Sequence, residues 1–312
     1  MVHRTTRVVG RSAARALSLA VLACAWLGFP AQAQAVIGGT ETIDFDRPEA
    51  WAQKYFTSLT MLTGFGAPRY VDRGFVGLGL EAGWVPHLSE EQRTVGFSGT
   101  KEEDLNKTSV IGRLGVTVGI PWRLSLTVAY TPPIELNGAT PNLLGLALGR
   151  PVFDAGVARF GVRLHGQTGT IEGDFTCSAD VAAAGDDPLR NPFGCEAPSS
   201  DEFRTRYAGL EISAAFPLRA GKIEPFLTGS SNYVDTDFQV NARYSNIIDR
   251  RKLETDGWTW YVTGGSDFAL SKNWKLAVEL FYSPLDVLRP GYIEAETDGL
   301  FNARVLVRWN VH

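Results

Sequence analysis

The stretch that decides the fold is residues 299–311, which read GLFNARVLVRWNV. Apolar side chains occupy every second position from Phe301 to Val311, and the positions between them are mostly polar or charged. Arg304 and Arg308 are among these intervening residues. Because successive side chains of a β-strand point to opposite sides, the segment predicts a strand with one apolar face and one polar face.

The same alternation recurs in nine earlier segments, so the sequence predicts ten strands. These strands are longer than the usual ~5–6 residues of soluble proteins. The predicted strands cover about 74–85, 108–120, 122–132, 142–150, 156–175, 202–217, 222–240, 254–270, 273–284 and 299–311.

The links between these segments alternate between short and long. The short ones are Pro121-Trp122, 150–155, 218–221 and 271–273, and the long ones are 86–107, 133–141, 176–201, 241–253 and 285–298. Aromatic residues gather at strand ends, as at Trp84 and Trp258. Both features are typical of an antiparallel transmembrane β-barrel, here of about ten strands (range 8–12). A soluble periplasmic β-sandwich that binds a ligand also alternates and is the alternative fold.

Residues 1–35 predict a signal peptide. Four arginines precede an apolar run over 16–29, and Ala-Gln-Ala sequences near residue 33 offer cleavage sites. A lipoprotein signal ending at Cys24 is the alternative for this segment. The formal net charge of −4 gives no reason to expect a nucleic-acid partner.

Residues 36–73 do not alternate and form a separate N-terminal segment before the barrel, which covers 74–312. Within it, Trp51, Tyr55, Leu59 and Leu62 recur at helical spacing, and Pro48 suits a first turn. This pattern predicts a short amphipathic helix at about 47–63. Three alternatives are open: a helix on the periplasmic rim, a helix inside the lumen, or an eleventh strand.

In its alternating strands, its signal peptide and its aromatic-flanked last strand, the sequence resembles Gram-negative outer-membrane β-barrel proteins. The resemblance implies an outer-membrane location, porin-like architecture and insertion by the barrel-assembly machinery. Members of that group usually end in Phe, whereas this chain ends Trp309-Asn310-Val311-His312.

Ten ionisable residues fall on the faces that we expect to point inward. Either they pair and fill a narrow lumen, or they line a polar pathway or pocket for a small solute. These candidate lumen residues are Glu81, Arg113, Arg159, Arg163, His165, Glu211, Asp267, Glu279, Arg304 and Arg308.

Catalysis is not expected, because the chain has no nucleophile motif beside a histidine. His87 lies at a strand end, and His312 is the last residue. The alternative is a lipid-modifying outer-membrane enzyme built on His165. No metal motif and no cofactor signature is present, so neither is predicted.

Cys177 and Cys195 predict one disulfide in an outer loop, since an exported protein with two such cysteines commonly oxidises them. The acidic residues around them are expected to be solvated, with calcium binding as the alternative. They are Asp180, Asp186, Asp187, Glu196, Asp201 and Glu202. The run 249–252, DRRK, is expected to be a solvated loop tip, with lipopolysaccharide phosphate as an alternative partner.

The sequence therefore predicts a non-enzymatic outer-membrane barrel with a narrow lumen. It would present extracellular loops amid outer-membrane lipid and lipopolysaccharide, and would bind or pass a small solute.

Overall fold

The computed structural model describes residues 34–245 and 247–311. The compact unit described below begins at Val36. The predicted signal peptide lies outside the described residues except for Gln34 and Ala35, and so does the alternative lipidation site at Cys24.

Ten antiparallel strands of a twelve-stranded sheet form a ring. Their long alternating sequences give each strand one face for the lumen and one face for the outside. They are β2 (Val76–Trp84), β5 (Val110–Ile120), β6 (Leu124–Thr131), β7 (Ala139–Asp154), β8 (Arg159–Gly173), β9 (Asp201–Ala215), β10 (Ile223–Gln239), β12 (Ile247–Ala269), β13 (Trp274–Ser283) and β16 (Leu300–Asn310).

The sheet closes on itself because its last strand pairs with its first. β16 lies antiparallel to β2, with Arg304 opposite Gly83 and Asn310 opposite Gly77. Each of the remaining strands pairs with the next one along the ring, including β12 with β13. The predicted antiparallel barrel of about ten strands is thus confirmed, and the β-sandwich alternative is wrong.

The outer surface of the ring is apolar. Leu80, Leu164, Ile212 and Leu227 are each more than half exposed, and all lie on barrel strands. In water such a surface is unfavourable, whereas in a bilayer it faces lipid. Trp122 and Trp274 lie at one end of the barrel and are exposed, as are aromatic residues at the other end. These exposed residues at the other end are Trp84, Tyr130, Trp258, Trp260 and Tyr282.

Among the described helices, none is long and apolar enough to cross a membrane.

The two ends of the barrel differ in their connections. One end has the short turns 121–123, 155–158, 216–222 and 270–273, and the other has the longer connections 85–109, 174–200 and 284–299 together with 132–138 and 240–246. In bacterial barrels the short turns lie on the periplasmic side. We call the short-turn end the inner end and the long-loop end the outer end.

The remaining elements lie at the outer end, except the 13-residue helix, which lies in the lumen below it. They are β1 (Ala35–Thr42), the helix α1 (Pro48–Thr60), α2 (Glu90–Arg93), β3 (Thr94–Val95), α3 (Gly96–Gly99), β4 (Lys101–Glu102), α4 (Ala179–Ala183), β11 (Ala242–Tyr244), β14 (Asp286–Val287) and β15 (Glu296–Thr297).

Two elements at the outer end differ from the sequence-based expectation. β12 begins at Ile247, so the run 249–252 belongs to a strand paired with β10 and β11 and is not a loop tip. Its Arg251 bonds Asp249 at 2.7 Å, and Lys252 bonds Glu254 at 2.7 Å. β1, which has no apolar alternation, adds to the free edge of this extension of β12.

Candidate functional site: the occupied lumen

Helix α1 lies inside the barrel. Every residue of α1 except Phe56 is buried, which a helix on the rim could not achieve. Pro48 at the first turn and Glu49 beside it suit the helix start, since proline needs no N–H there and the acid meets the positive helix end. Trp51 Nε1 donates to the Asp298 carbonyl at 2.9 Å, which fixes the start of the helix below the outer loops.

The end of α1 is held by two arginines of the barrel wall. Arg304 donates to the carbonyls of Ser58 at 3.1 Å, Leu59 at 3.2 Å and Met61 at 2.7 Å. Arg113 donates to the Thr60 carbonyl at 2.5 Å. The last carbonyls of a helix have no partners within it and carry partial negative charge, so a guanidinium is a fitting cap.

Below α1 the chain continues through the lumen and contacts a second group of wall residues. Glu211 is fully buried and accepts from Arg163 at 2.8 Å, Tyr261 at 2.8 Å and the Gly64 N–H at 3.2 Å. A Cβ on Gly64 would collide with the Arg163 guanidinium, so a larger residue here would displace the Arg163–Glu211 pair.

A third group ties the same segment to the inner half of the wall. Arg308 donates to the carbonyls of Gly64 at 3.1 Å and Phe65 at 3.3 Å, and it also bonds Asp267 at 3.3 Å. Asp267 accepts in addition from Arg69 at 3.0 Å. The segment 61–69 is therefore bonded to the wall along its length.

The other predicted lumen residues also point inward. Glu279 accepts from Thr63 at 2.7 Å, and Glu81 lies 3.8 Å from Arg113. Arg159 pairs with Glu224 at 3.0 Å near the inner end and does not contact α1. The structure thus brings nine of the ten candidates together around residues 58–69, including His165, whose ring packs on Tyr207, the acceptor of the Leu62 N–H. Arg159 connects to this group only through Glu224, which also pairs with Arg69 at 3.3 Å.

Several residues of the same site were missed by sequence reasoning. Thr57 shares a hydrogen bond with Thr205 at 3.0 Å, Gln167 donates to Thr60 at 3.0 Å, and Arg69 completes the Asp267 group. A threonine or glutamine on a strand face gives no signal by itself. The one signal in the sequence that could have pointed to these contacts was the set of polar residues between the apolar positions of α1.

His165 is 4% exposed, its ring packs on that of Tyr207 with centroids 5.7 Å apart, and its Nε2 lies 3.0 Å from the Ser230 hydroxyl. Ser230 in turn bonds Asn232 at 3.1 Å, while His165 Nδ1 has no hydrogen-bond partner among the described residues. A nucleophile–base pair needs a group that orients the base, and it needs access for substrate. This pair has neither.

The occupied lumen retains two cavities. The inner cavity, of about 550 Å³, is lined by the segment 62–75 and by wall residues that include Arg113, Thr117 and Lys275. The outer cavity, of about 340 Å³, lies beside α1 at the outer end. No described residue lines both cavities. Along the chain, residues 57–61 separate the part of α1 that lines the outer cavity from the segment 62–75 that lines the inner cavity.

The outer loops are ordered by a disulfide between Cys177 and Cys195, as predicted. Asp201 was expected to be solvated like the other acids near the disulfide, but it is buried. It is 1% exposed and accepts from the Thr176 N–H, the Ser199 hydroxyl and the Asn241 N–H. In the part of the chain that the structure describes, no three His, Cys, Asp or Glu side chains are grouped to hold a metal ion.

Glu103 is a further acid at the outer end, with its side chain 13% exposed. Burial raises the pKa of its carboxyl to about 8, against the opposing effect of Lys101, whose ammonium lies 2.5 Å away. Both residues belong to the loop that covers the outer cavity.

A closed antiparallel ring of ten strands with an apolar outer surface between two aromatic bands defines a transmembrane β-barrel of the kind found in Gram-negative outer membranes. No family model matches the chain, and no curated protein matches it in sequence.

Among solved structures the chain is similar to Ail, the attachment invasion locus protein of Yersinia pestis, at 10% identity and a TM-score of 0.31, over 77% of this chain and 99% of that one. It is similar to the outer membrane protease OmpT from Escherichia coli at 12% identity and a TM-score of 0.31, over 76% and 94%. The translocator domain of the autotransporter NalP from Neisseria meningitidis has 10% identity and a TM-score of 0.37, over 78% and 90%.

Proposed function

We propose that this chain is a non-enzymatic outer-membrane barrel that presents its outer loops at the cell surface and holds a small solute in its lumen without offering a free channel. It would be exported by its signal peptide, inserted by the barrel-assembly machinery, and surrounded by outer-membrane lipid and lipopolysaccharide.

The observation that carries this proposal is the attachment of α1 inside the ring. Arg304 is 2% exposed and bonds three carbonyls at the end of the helix. A buried guanidinium is costly unless its donors are satisfied, so the arginine and the helix end stabilise each other only while the helix stays in place. A barrel of about ten strands has little room beside such a helix.

Conductance across a planar lipid bilayer tests the closed lumen. We expect the wild-type barrel to show no steady conductance. Arg304→Met removes the bonds to the helix end and leaves three carbonyls without their partner, so we expect frequent opening events and a loss of about 3 kcal/mol in unfolding free energy.

Arg159→Met is the matched control, since Arg159 is a lumen arginine that does not contact α1. We expect it to stay closed. A steady wild-type current, or equal opening in both variants, would contradict the proposal.

A further inference from the structure

The outer cavity has an aromatic wall. Phe56 of α1 packs on Phe175 with ring centroids 5.4 Å apart and on Phe203 at 5.8 Å, and Phe175 packs on Phe238 at 6.2 Å. All four rings line the cavity. Stacked and edge-to-face contacts are the favoured arrangements of aromatic rings, so a further ring suits this wall.

One polar side chain in the cavity lining has no partner. Gln53 is 3% exposed, and both its Oε1 and its Nε2 are buried without a hydrogen bond. Among the described residues that line this cavity, Gln53 is the one whose buried side-chain polar atoms lack a hydrogen-bond partner. Buried polar groups in proteins are almost always hydrogen-bonded, so an unpaired carboxamide at a cavity wall points to an absent partner.

The charged side chains of the lining are mostly acidic. Glu41 and Glu49 share one partner, Arg47, at 2.7 Å and 3.0 Å. Asp249 bonds Arg251 at 2.7 Å, and Glu103 is bonded to Lys101, which does not line the cavity. Because four acids stand against two arginines in the lining, the cavity disfavours an anion.

The cavity reaches the outer surface. Three of its lining residues, Glu41, Phe97 and Ser98, are exposed, with Phe97 36% exposed. Phe97 and the adjacent Ser98 both have positive φ angles of 48° and 59°, which non-glycine residues seldom adopt. This strained turn holds the Phe97 ring 5.8 Å from that of Tyr244, another residue of the lining.

We propose that the outer cavity binds a small molecule without negative charge that carries one aromatic ring and one hydroxyl or amide group. The ring packs on the phenylalanine wall, and the polar group exchanges hydrogen bonds with the carboxamide of Gln53. At about 340 Å³ the cavity is at the small end of the ~300–1,000 Å³ usual for ligand pockets, which suits a single ring. This inference deepens the proposed function by naming the class of solute and where it binds.

Fluorine NMR of the purified full chain in detergent, titrated with 4-fluorobenzyl alcohol, tests the site. We expect saturable binding by the wild type and weaker binding of the anionic 4-fluorobenzoate. Gln53→Leu removes the hydrogen bonds, and we expect the dissociation constant for the alcohol to rise at least about tenfold.

Gln239→Leu is the matched control, because Gln239 does not line the cavity, and we expect it to bind as the wild type does. Ala52→Phe fills the cavity from α1 and should abolish binding even if Gln53→Leu fails to fold. Partitioning without saturation, or wild-type affinity in both Gln53→Leu and Ala52→Phe, would overturn the inference.

Bilayer conductance separates this inference from the proposed function. A barrel that stays closed but binds no probe would overturn the ligand site alone. A wild-type barrel that conducts steadily would contradict the closed lumen whatever it binds.

Discussion

His165 and Ser230 are 65 positions apart in the sequence, yet their side chains lie 3.0 Å apart across an intervening strand. The strand between them is β9, where Gly209 lies opposite both His165 and Asn232. A Cβ at Gly209 would collide with the Asn232 side chain, so the missing side chain is what lets groups on β8 and β10 meet. Sequence spacing provided no sign of this pair.

We expect His165→Ala to leave any esterase or acyltransferase activity of the purified barrel at background, as in the wild type. The reason is geometric, since His165 Nδ1 has no orienting partner among the described residues and the pair is buried. Hydrolysis of p-nitrophenyl esters and release of fatty acid from phospholipid vesicles are the measurements. Activity in the wild type that disappears in His165→Ala would establish the enzyme alternative instead.

For a single charged residue, the sequence predicts whether the side chain points into the lumen, but not which group it contacts. Alternation placed Arg304 on the inward face, because a period of two fixes the face of a strand residue. Its partners are carbonyls of a helix more than two hundred positions away, and no pattern in the chain encodes that distance. Inward-facing charges can therefore be found from sequence, whereas what they bind needs the structure.

Among elements, the barrel strands follow the sequence closely because each is long and alternating. The predicted range 273–284 compares with the observed Trp274–Ser283, and 299–311 compares with Leu300–Asn310. β1, with the sequence AVIGGTET, was missed, since its eight residues are all exposed and it has no buried face to produce alternation. The start of β12 was missed for a related reason, because residues 249–252 are all charged and show no apolar alternation. Two of them bond to neighbours on the same strand, Arg251 to Asp249 and Lys252 to Glu254.

The position of α1 also lay beyond the sequence. The helical spacing of Trp51, Tyr55 and Leu59 indicates that one face of the helix packs against the protein. That spacing fits a helix on the periplasmic rim as well as a helix inside the lumen. The distinction depends on Gln53, Lys54 and the threonines of α1 being buried too, which only an enclosing barrel can provide.

The outer loop closed by the disulfide is an element whose order depends on one covalent link. Replacing both cysteines, as Cys177→Ser with Cys195→Ser, removes a constraint on an 18-residue loop and should cost that loop about 3 kcal/mol. We expect faster cleavage of 174–200 by added protease, while the temperature at which the barrel unfolds on a gel changes little. Unchanged protease resistance would show that Asp201 and its three donors hold the loop without the disulfide.

At the scale of the whole molecule, the chain enters the lumen from the outer end. Ile43 donates its N–H to the Glu254 carbonyl on the outer extension of β12, α1 descends from there, and Gly74 bonds Gly119 near the inner end. The start of the described chain therefore lies on the side of the long loops, although β2 starts at the inner end.

A cysteine introduced as Thr40→Cys should react with a membrane-impermeant maleimide in intact cells, because Thr40 is exposed on β1. Lys222→Cys, in a short turn at the inner end, should react only after the outer membrane is opened. The native cysteines Cys177 and Cys195 are joined in the disulfide and stay silent. Labelling of Lys222→Cys but not Thr40→Cys in intact cells would mean that the long loops face the periplasm.

The path of residues 43–74 through the ring constrains the order of assembly. Trp51, Tyr55 and the other buried residues of α1 pack among the inward-facing arginines and glutamates, so entry of the folded helix into a closed ring would require those side chains to move aside. We therefore expect the seam between β2 and β16 to close around a helix that is already in place, with docking of the N-terminal segment before closure of the seam.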